Sequence, residues 1–155
     1  MRQGVRLGVD VGTVRVGLSR SDRDGLLATP VETVPRRGTD LEPVLARIAA
    51  VAAELEAIEL VVGLPIAMSG RDTPSTADAR MVAGRLADAG IPVRMVDERL
   101  TTVSAQSALH ASGRNTRASR SVIDQVAAVI LLQHALDAER ARGEAPGALV
   151  EPKRM

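Results

Sequence analysis

The sequence opens with three strand-like apolar runs before its first helical pattern, and that order narrows the possible folds more than any other feature. Val5 to Asp10 is a short apolar run that ends in a carboxylate. Val14, Val16 and Leu18 then alternate with Arg15, Gly17 and Ser19, the period-two pattern of a strand. Gly12 and Thr13 lie between the two runs, a connection short enough for a hairpin. Asp22 to Gly25 marks a second turn. Leu26 to Val34 reads as a third strand, with Pro30 pointing to an edge or a bulge.

The period then changes. Over residues 40–57, Leu41, Val44, Leu45, Ile48, Ala52 and Leu55 share one helical face. Asp40 or Glu42 is the expected cap, because a capping box from Thr39 would put Pro43 where an N–H is needed. Glu59 to Leu64 is apolar on both faces, as in a parallel core strand. Ser75 is expected to cap a helix reaching Gly90, with Asp78 three residues on, and Ile91 to Asp97 returns as a strand. A short helix from Thr101 or Thr102 to near Gly113, a polar connection from Arg114 to Arg120 and a last helix from Ser121 to about Leu136 complete the reading. A meander followed by βα crossovers gives an α/β domain: a mixed sheet with helices on both faces. The domain is expected to span 1–138, with 139–155 as a polar, mobile tail.

Composition removes several chemistries. Without Cys, the chain has no disulfide, no thiol nucleophile and no Cys-based zinc site, and only two His exclude a His-rich metal centre. Phe, Trp and Tyr are absent, so no base can stack on an aromatic ring. The basic residues are Arg apart from Lys153, and the net charge of +1 leaves any nucleic-acid site to local clustering. No apolar run approaches the ~20 residues that span a bilayer. The N-terminus lacks a signal-peptide pattern, so a cytoplasmic location and no membrane partner are expected.

Carboxylates at apolar positions stand out. Asp10 ends the first strand, Glu98 follows the last, and Asp124 is flanked by Val122, Ile123, Val126, Ala127 and Ala128. Buried alone, each would be costly. Converging, they would form an oxygen-donor site for Mg²⁺ or Mn²⁺, of the kind that supports phosphodiester hydrolysis. Each has a plainer reading. Asp10 is in a D-V-G-T run that also suits a tight turn, although the run favours a functional role. Glu98 could pair with Arg99 or another surface Arg, and Asp97 competes with it, since one residue of slip exchanges the faces. Asp124 completes a Ser121-x-x-Asp124 capping pattern. Gly63-Leu64-Pro65 marks a sharp exit at a strand end, where α/β sheets place ligands. Arg114, Arg117 and Arg120 form a run without an acid that suits phosphate contacts.

Four stretches together resemble the YqgF/RuvX family: G-V-D-V-G-T-V-R-V-G-L-S at 8–19, V-V-G-L-P at 61–65, D-E-R-L-T-T at 97–102 and I-D-Q-V-A-A-V-I-L-L-Q at 123–133. The resemblance implies a ribonuclease H-like fold with a five-stranded mixed sheet. It also implies a nuclease that is Holliday-junction-resolvase-like or matures the 5′ end of pre-16S ribosomal RNA. On that resemblance the catalytic and metal-binding acids are Asp10, Glu98 and Asp124. Thr13, Arg15, Arg114, Arg117 and Arg120 are the expected nucleic-acid contacts, in a monomer or a homodimer. Two alternatives remain at this level. One is a nucleic-acid-binding factor that does not cleave. The other is an actin- or sugar-kinase-like ATP-binding protein, whose phosphate hairpin is also D-x-G-T, although 155 residues leave no room for its second lobe.

Overall fold

The structure, a computed structural model, describes residues 1–99 and 117–152, and over 117–124 it describes the helical backbone alone. The described elements run β1 (Arg6–Val11), β2 (Arg15–Ser21), β3 (Ala28–Pro35), α1 (Glu42–Glu54), β4 (Glu59–Leu64), α2 (Pro74–Asp88), β5 (Val93–Asp97), α3 (Arg117–Arg142) and β6 (Ala148–Leu149). They build one sheet in the order β3-β2-β1-β4-β5-β6. The first three strands form the antiparallel meander, β1, β4 and β5 are parallel, and β6 is antiparallel to β5. The ladder of β2 with β3 shifts between Leu18 and Ser19, opposite Pro30, which has no N–H to give to it.

Strand alternation divides the core between the two faces of the sheet. Leu7, Val9, Leu60, Val62 and Met95 pack with α1 and α2 through Ile48, Val51, Val82 and Leu86. Val61 and Val96 pack with α3 through Leu131, Leu132, Ala135 and Leu136. Each fully buried Leu or Val contributes about 1.5–3 kcal/mol, so the pattern fixes the register. A slip by one residue in β1 would bury Arg6 and Asp10 against α1 and α2 instead.

Gly8 lets α3 lie close on the sheet. A β-carbon there would come within 3.0 Å of Leu132 Cβ and 3.1 Å of the Ala128 carbonyl oxygen. Ser19 Oγ donates to that same carbonyl at 2.7 Å. Gln125 bonds to Thr33, while Gln133 bonds to Ala28 and Leu26, so α3 runs antiparallel to β3 and therefore to β1.

Several expectations change. The sheet has six strands rather than five, because Ala148 and Leu149 add a short edge strand to β5. The boundary expected at 138 falls inside α3, and Val150 beyond it packs on the core. The polar composition of this stretch hides an ion cluster. Glu139 is 2% exposed and pairs with Arg6 and Arg2, and Arg2 and Arg94 also pair with Glu59. Thr73, not Ser75, caps α2, in a capping box with Thr76, so Pro74 falls where no N–H is missed. Leu41 sits at the N-cap of α1 without a side-chain bond, and Asp40 accepts from the Glu42 N–H instead. Arg117 and Arg120, expected in a polar connection, lie within α3, which begins by Arg117 rather than at Ser121. The expected helix between Thr101 and Gly113 lies outside the described residues, as do Lys153 to Met155.

Candidate active site

The C-terminal ends of β1, β4 and β5 lie side by side at one edge of the sheet. Parallel pairing puts Val9 level with Val62 and Gly63 level with Val96. Asp10 and Gly63 are therefore neighbours on the α3 side, opposite in facing to Val9 and Val62. Glu98 follows β5, and its N–H donates to the Leu64 carbonyl at 3.1 Å. Its side chain lies back across β4. A β-carbon on Gly63 would overlap the Glu98 carboxyl and come within 2.5 Å of its carbon. Gly63 is thus the bare position that lets the Glu98 carboxyl, just past β5, reach the Asp10 carboxyl on β1.

The two acids meet there. Glu98 is hydrogen-bonded to Asp10, and its carboxyl is pushed up to about 9. Burial is the largest cause, followed by the hydrogen bond to Asp10 and then the charges of Asp10 and Asp97. In the metal-free protein the Asp10–Glu98 pair therefore holds a proton at neutral pH. Asp97 takes another course. It is half-exposed and holds Arg99 through its carboxylate, at 2.6 Å for the shortest bond, and that bonding keeps its carboxyl below the ordinary range. Alternation along β5, with Met95 on the α2 side and Val96 on the α3 side, separates Asp97 from Glu98.

The side chain of Asp124 lies outside the described residues, but its place on the backbone is fixed. Ala128 and Leu132 pass over Gly8, and residue 124 is one turn earlier, about 6 Å along the helix axis. Because α3 runs antiparallel to β1, that turn lies toward the Asp10 end. The capping reading of Asp124 does not hold, since Ser121 is within a helix that begins by Arg117. The Asp10–Thr13 turn is closed by the Gly12 N–H donating to the Arg15 carbonyl at 2.9 Å. Gly12 permits this closure, because a β-carbon would come within 2.5 Å of the Arg15 oxygen. Thr13 is exposed at the tip and Arg15 begins β2 half-buried. Arg114 and the side chains of Arg117 and Arg120 lie outside the described residues.

Sequence reasoning missed two features. One is the reason for Gly63, legible only as a turn. The other is Arg36, whose guanidinium bonds both the Gly12 carbonyl and Asp78. A free acid three residues after Ser75 resembled a helix-start signal, whereas its partner lies 42 residues away.

The site's donors are carboxylate oxygens, which suit a hard divalent cation. The bonded pair of carboxyls, one of them protonated through burial and repulsion, is the state such a site takes when only protons neutralise it.

Comparison with known proteins gives the family and the fold. A family model described as RuvX, Holliday junction resolvase, matches residues 4–138. A candidate pre-16S rRNA nuclease of Clavibacter michiganensis is 64% identical over 100% of this chain and 96% of its own length. Similarly named relatives from Leifsonia xyli and Streptomyces coelicolor are 58% and 52% identical over 99% and 97% of this chain, and over 98% and 90% of their own lengths. Among solved structures, Thermus thermophilus RuvC in complex with a Holliday junction substrate superposes with a TM-score of 0.53 at 18% identity, covering 89% of this chain and 96% of that one. That likeness establishes the ribonuclease H-like fold.

Proposed function

Since the chain belongs to the RuvX, Holliday junction resolvase, family, we propose that this nuclease cuts phosphodiester bonds of structured nucleic acid with Asp10, Glu98 and Asp124 as its metal-binding acids. The observation that carries the reading is the hydrogen-bonded Asp10–Glu98 pair at the sheet edge, with Glu98 laid over Gly63. The register of α3, which brings residue 124 toward the same edge, supports the third acid.

Mg²⁺ or Mn²⁺, when bound, supplies charge stabilisation at the phosphate and a more acidic water. The residues of this chain do the rest. Asp10, Glu98 and Asp124 would hold the cation, with the Asp10–Glu98 pair giving up its proton. The Asp10–Thr13 turn is the backbone approach for the scissile phosphate, with Thr13 and Arg15 beside it. Arg114, Arg117 and Arg120, next to and within the first turns of α3, grip flanking phosphates without regard to sequence. Without Phe, Trp or Tyr, recognition does not use base stacking on those rings.

The curated relatives point to precursor 16S rRNA as substrate and the family description to junction DNA; we favour the RNA. The protein then acts in the cytoplasm, and none of its described helices is long and apolar enough to cross a membrane. It works as a monomer, or as a two-fold dimer if the substrate is a symmetric junction. The test is purified protein with Mg²⁺ or Mn²⁺ on a panel of precursor 16S rRNA fragments, single-stranded RNA and four-way junction DNA. Cleavage of the rRNA fragment near the mature 5′ end is expected. Binding without cleavage of any substrate would favour a non-cleaving factor instead.

A further inference from the structure

Arg36 ties together the two parts of the sheet edge that carry the acids. It follows β3, and its N–H donates to the Val14 carbonyl at 2.8 Å. Its Nη1 donates to the Gly12 carbonyl at 2.7 Å and to Asp78 Oδ2 at 2.7 Å, and its Nη2 donates to Asp78 Oδ1 at 3.1 Å. The side chains of Arg36 and Asp78 are 13% and 21% exposed, so this forked pair is largely shielded from water.

The partners give the contact its meaning. The peptide groups on either side of Gly12 are held, its N–H by the Arg15 carbonyl and its C=O by Arg36. Asp10 is two residues back along the same turn. Asp78 is in the first half of α2, and Thr76 in that helix bonds to the Pro65 carbonyl at the exit of β4. Two residues before Pro65 is Gly63, the floor on which Glu98 lies. One end of α2 therefore anchors both the turn after Asp10 and the strand end under Glu98.

We propose that Arg36, braced by Asp78, is a positioning residue for the acid site: through the Gly12 carbonyl it fixes the Asp10 turn relative to Glu98. The inference rests on the reading of that site given above. Misplacing a group by a fraction of its contact distance is costly in catalysis and in metal binding, and residues that orient ligands typically matter about 10–100-fold. An ion pair with no such role would affect stability alone.

The test compares full-length wild type, Arg36→Met, Asp78→Asn and the charge swap Arg36→Asp with Asp78→Arg. Amide hydrogen exchange is followed without metal or nucleic acid, and Mn²⁺ affinity is measured by calorimetry. In Arg36→Met, exchange at Gly12 should quicken by about tenfold or more while β4 amides keep their wild-type rates. Mn²⁺ affinity should fall by about tenfold. Asp78→Asn should move both in the same direction by less, and it serves if Arg36→Met folds poorly. The swap should recover melting temperature but neither Gly12 protection nor Mn²⁺ affinity, because it sets a carboxylate against the Gly12 carbonyl. Wild-type exchange at Gly12 in Arg36→Met, or full recovery of Gly12 protection by the swap, would reduce Arg36 to an ordinary ion pair. A wild-type protein that cleaves nothing would instead count against the nuclease reading, while the exchange result still decides the brace.

Discussion

Glu98 lies across Gly63, its carboxyl filling the space that a β-carbon on residue 63 would take, and in that position it is hydrogen-bonded to Asp10. The contact spans three strands of the sheet, β1, β4 and β5, and it depends on the absence of one side chain.

Gly63→Ala should therefore separate site from fold. The added methyl overlaps the Glu98 carboxyl, so Glu98 must leave Asp10 or the strand must shift. Such overpacking costs about 1–3 kcal/mol. Adding Glu98→Ala to Gly63→Ala should restore most of the melting temperature and none of the Mn²⁺ binding. Chemical denaturation and calorimetry on the same samples check both outcomes.

The proton held by the Asp10–Glu98 pair sets the pH dependence of metal binding. A cation must displace that proton, so affinity should rise with pH as long as the pair holds it. The expected slope is about tenfold per pH unit between about pH 6 and about pH 8, flattening near about pH 9. Mn²⁺ titrations across this range in wild type and Glu98→Gln check it, and the variant should show little slope.

Glu98 also bears on stability without metal. Its folded pKa lies above the unfolded value, at about 9 against 4.5, so the native state holds more protons in that window. Its favourable contribution is complete below the unfolded value and is lost as pH rises through the folded one. Wild type should therefore soften from mildly acidic to alkaline pH, while Glu98→Gln should not. Thermal melts in chelator should show the variant the more stable at about pH 8 and nearly equal to wild type at about pH 4.

Glu139 behaves in the opposite sense. Burial pushes its carboxyl up, but bonds from Arg2 and the charges of Arg6 and Arg2 outweigh this and hold it at about 2. Its contribution is present above the ordinary value of 4.5 and is lost as pH falls toward 2. Glu139→Leu leaves Arg6 buried without its carboxylate and should cost about 3–5 kcal/mol. It should also remove part of the acid-unfolding transition, as denaturation followed by circular dichroism would show.

Much of this was legible in the sequence. The meander, the first helix and β4 follow from period, and Glu59 to Leu64 is bounded as expected because an all-apolar run between turns has few alternatives. Asp10 was visible as a carboxylate closing an apolar strand. What was hidden depends on contacts distant in sequence. The Glu98–Gly63 overlap, the Arg36–Asp78 pair and the Arg2–Glu139 pair join residues that no local pattern relates. Glu139 itself looked like part of a polar tail because its burial is compensated by Arg2 and Arg6, near the other end of the chain.

The Arg run that leads into α3 gives a further expectation. Substituting Arg114, Arg117 and Arg120 by Ala should weaken binding to all nucleic acids alike. The salt dependence should become shallower, by about one counterion for each phosphate that is no longer neutralised. Fluorescence anisotropy with labelled RNA at several salt concentrations measures the slope, and an unchanged slope would return the run to solvent.

The central claim is that Asp10, Glu98 and Asp124 act as one metal-binding set. It is tested most directly by Mn²⁺-dependent cleavage of a precursor 16S rRNA fragment by Asp10→Asn, Glu98→Gln and Asp124→Asn, each confirmed folded by its melting curve. The account predicts that every one of the three loses cleavage by at least about a hundredfold while remaining folded. Cleavage at the wild-type rate by Asp124→Asn, or by either of the other two, would contradict it.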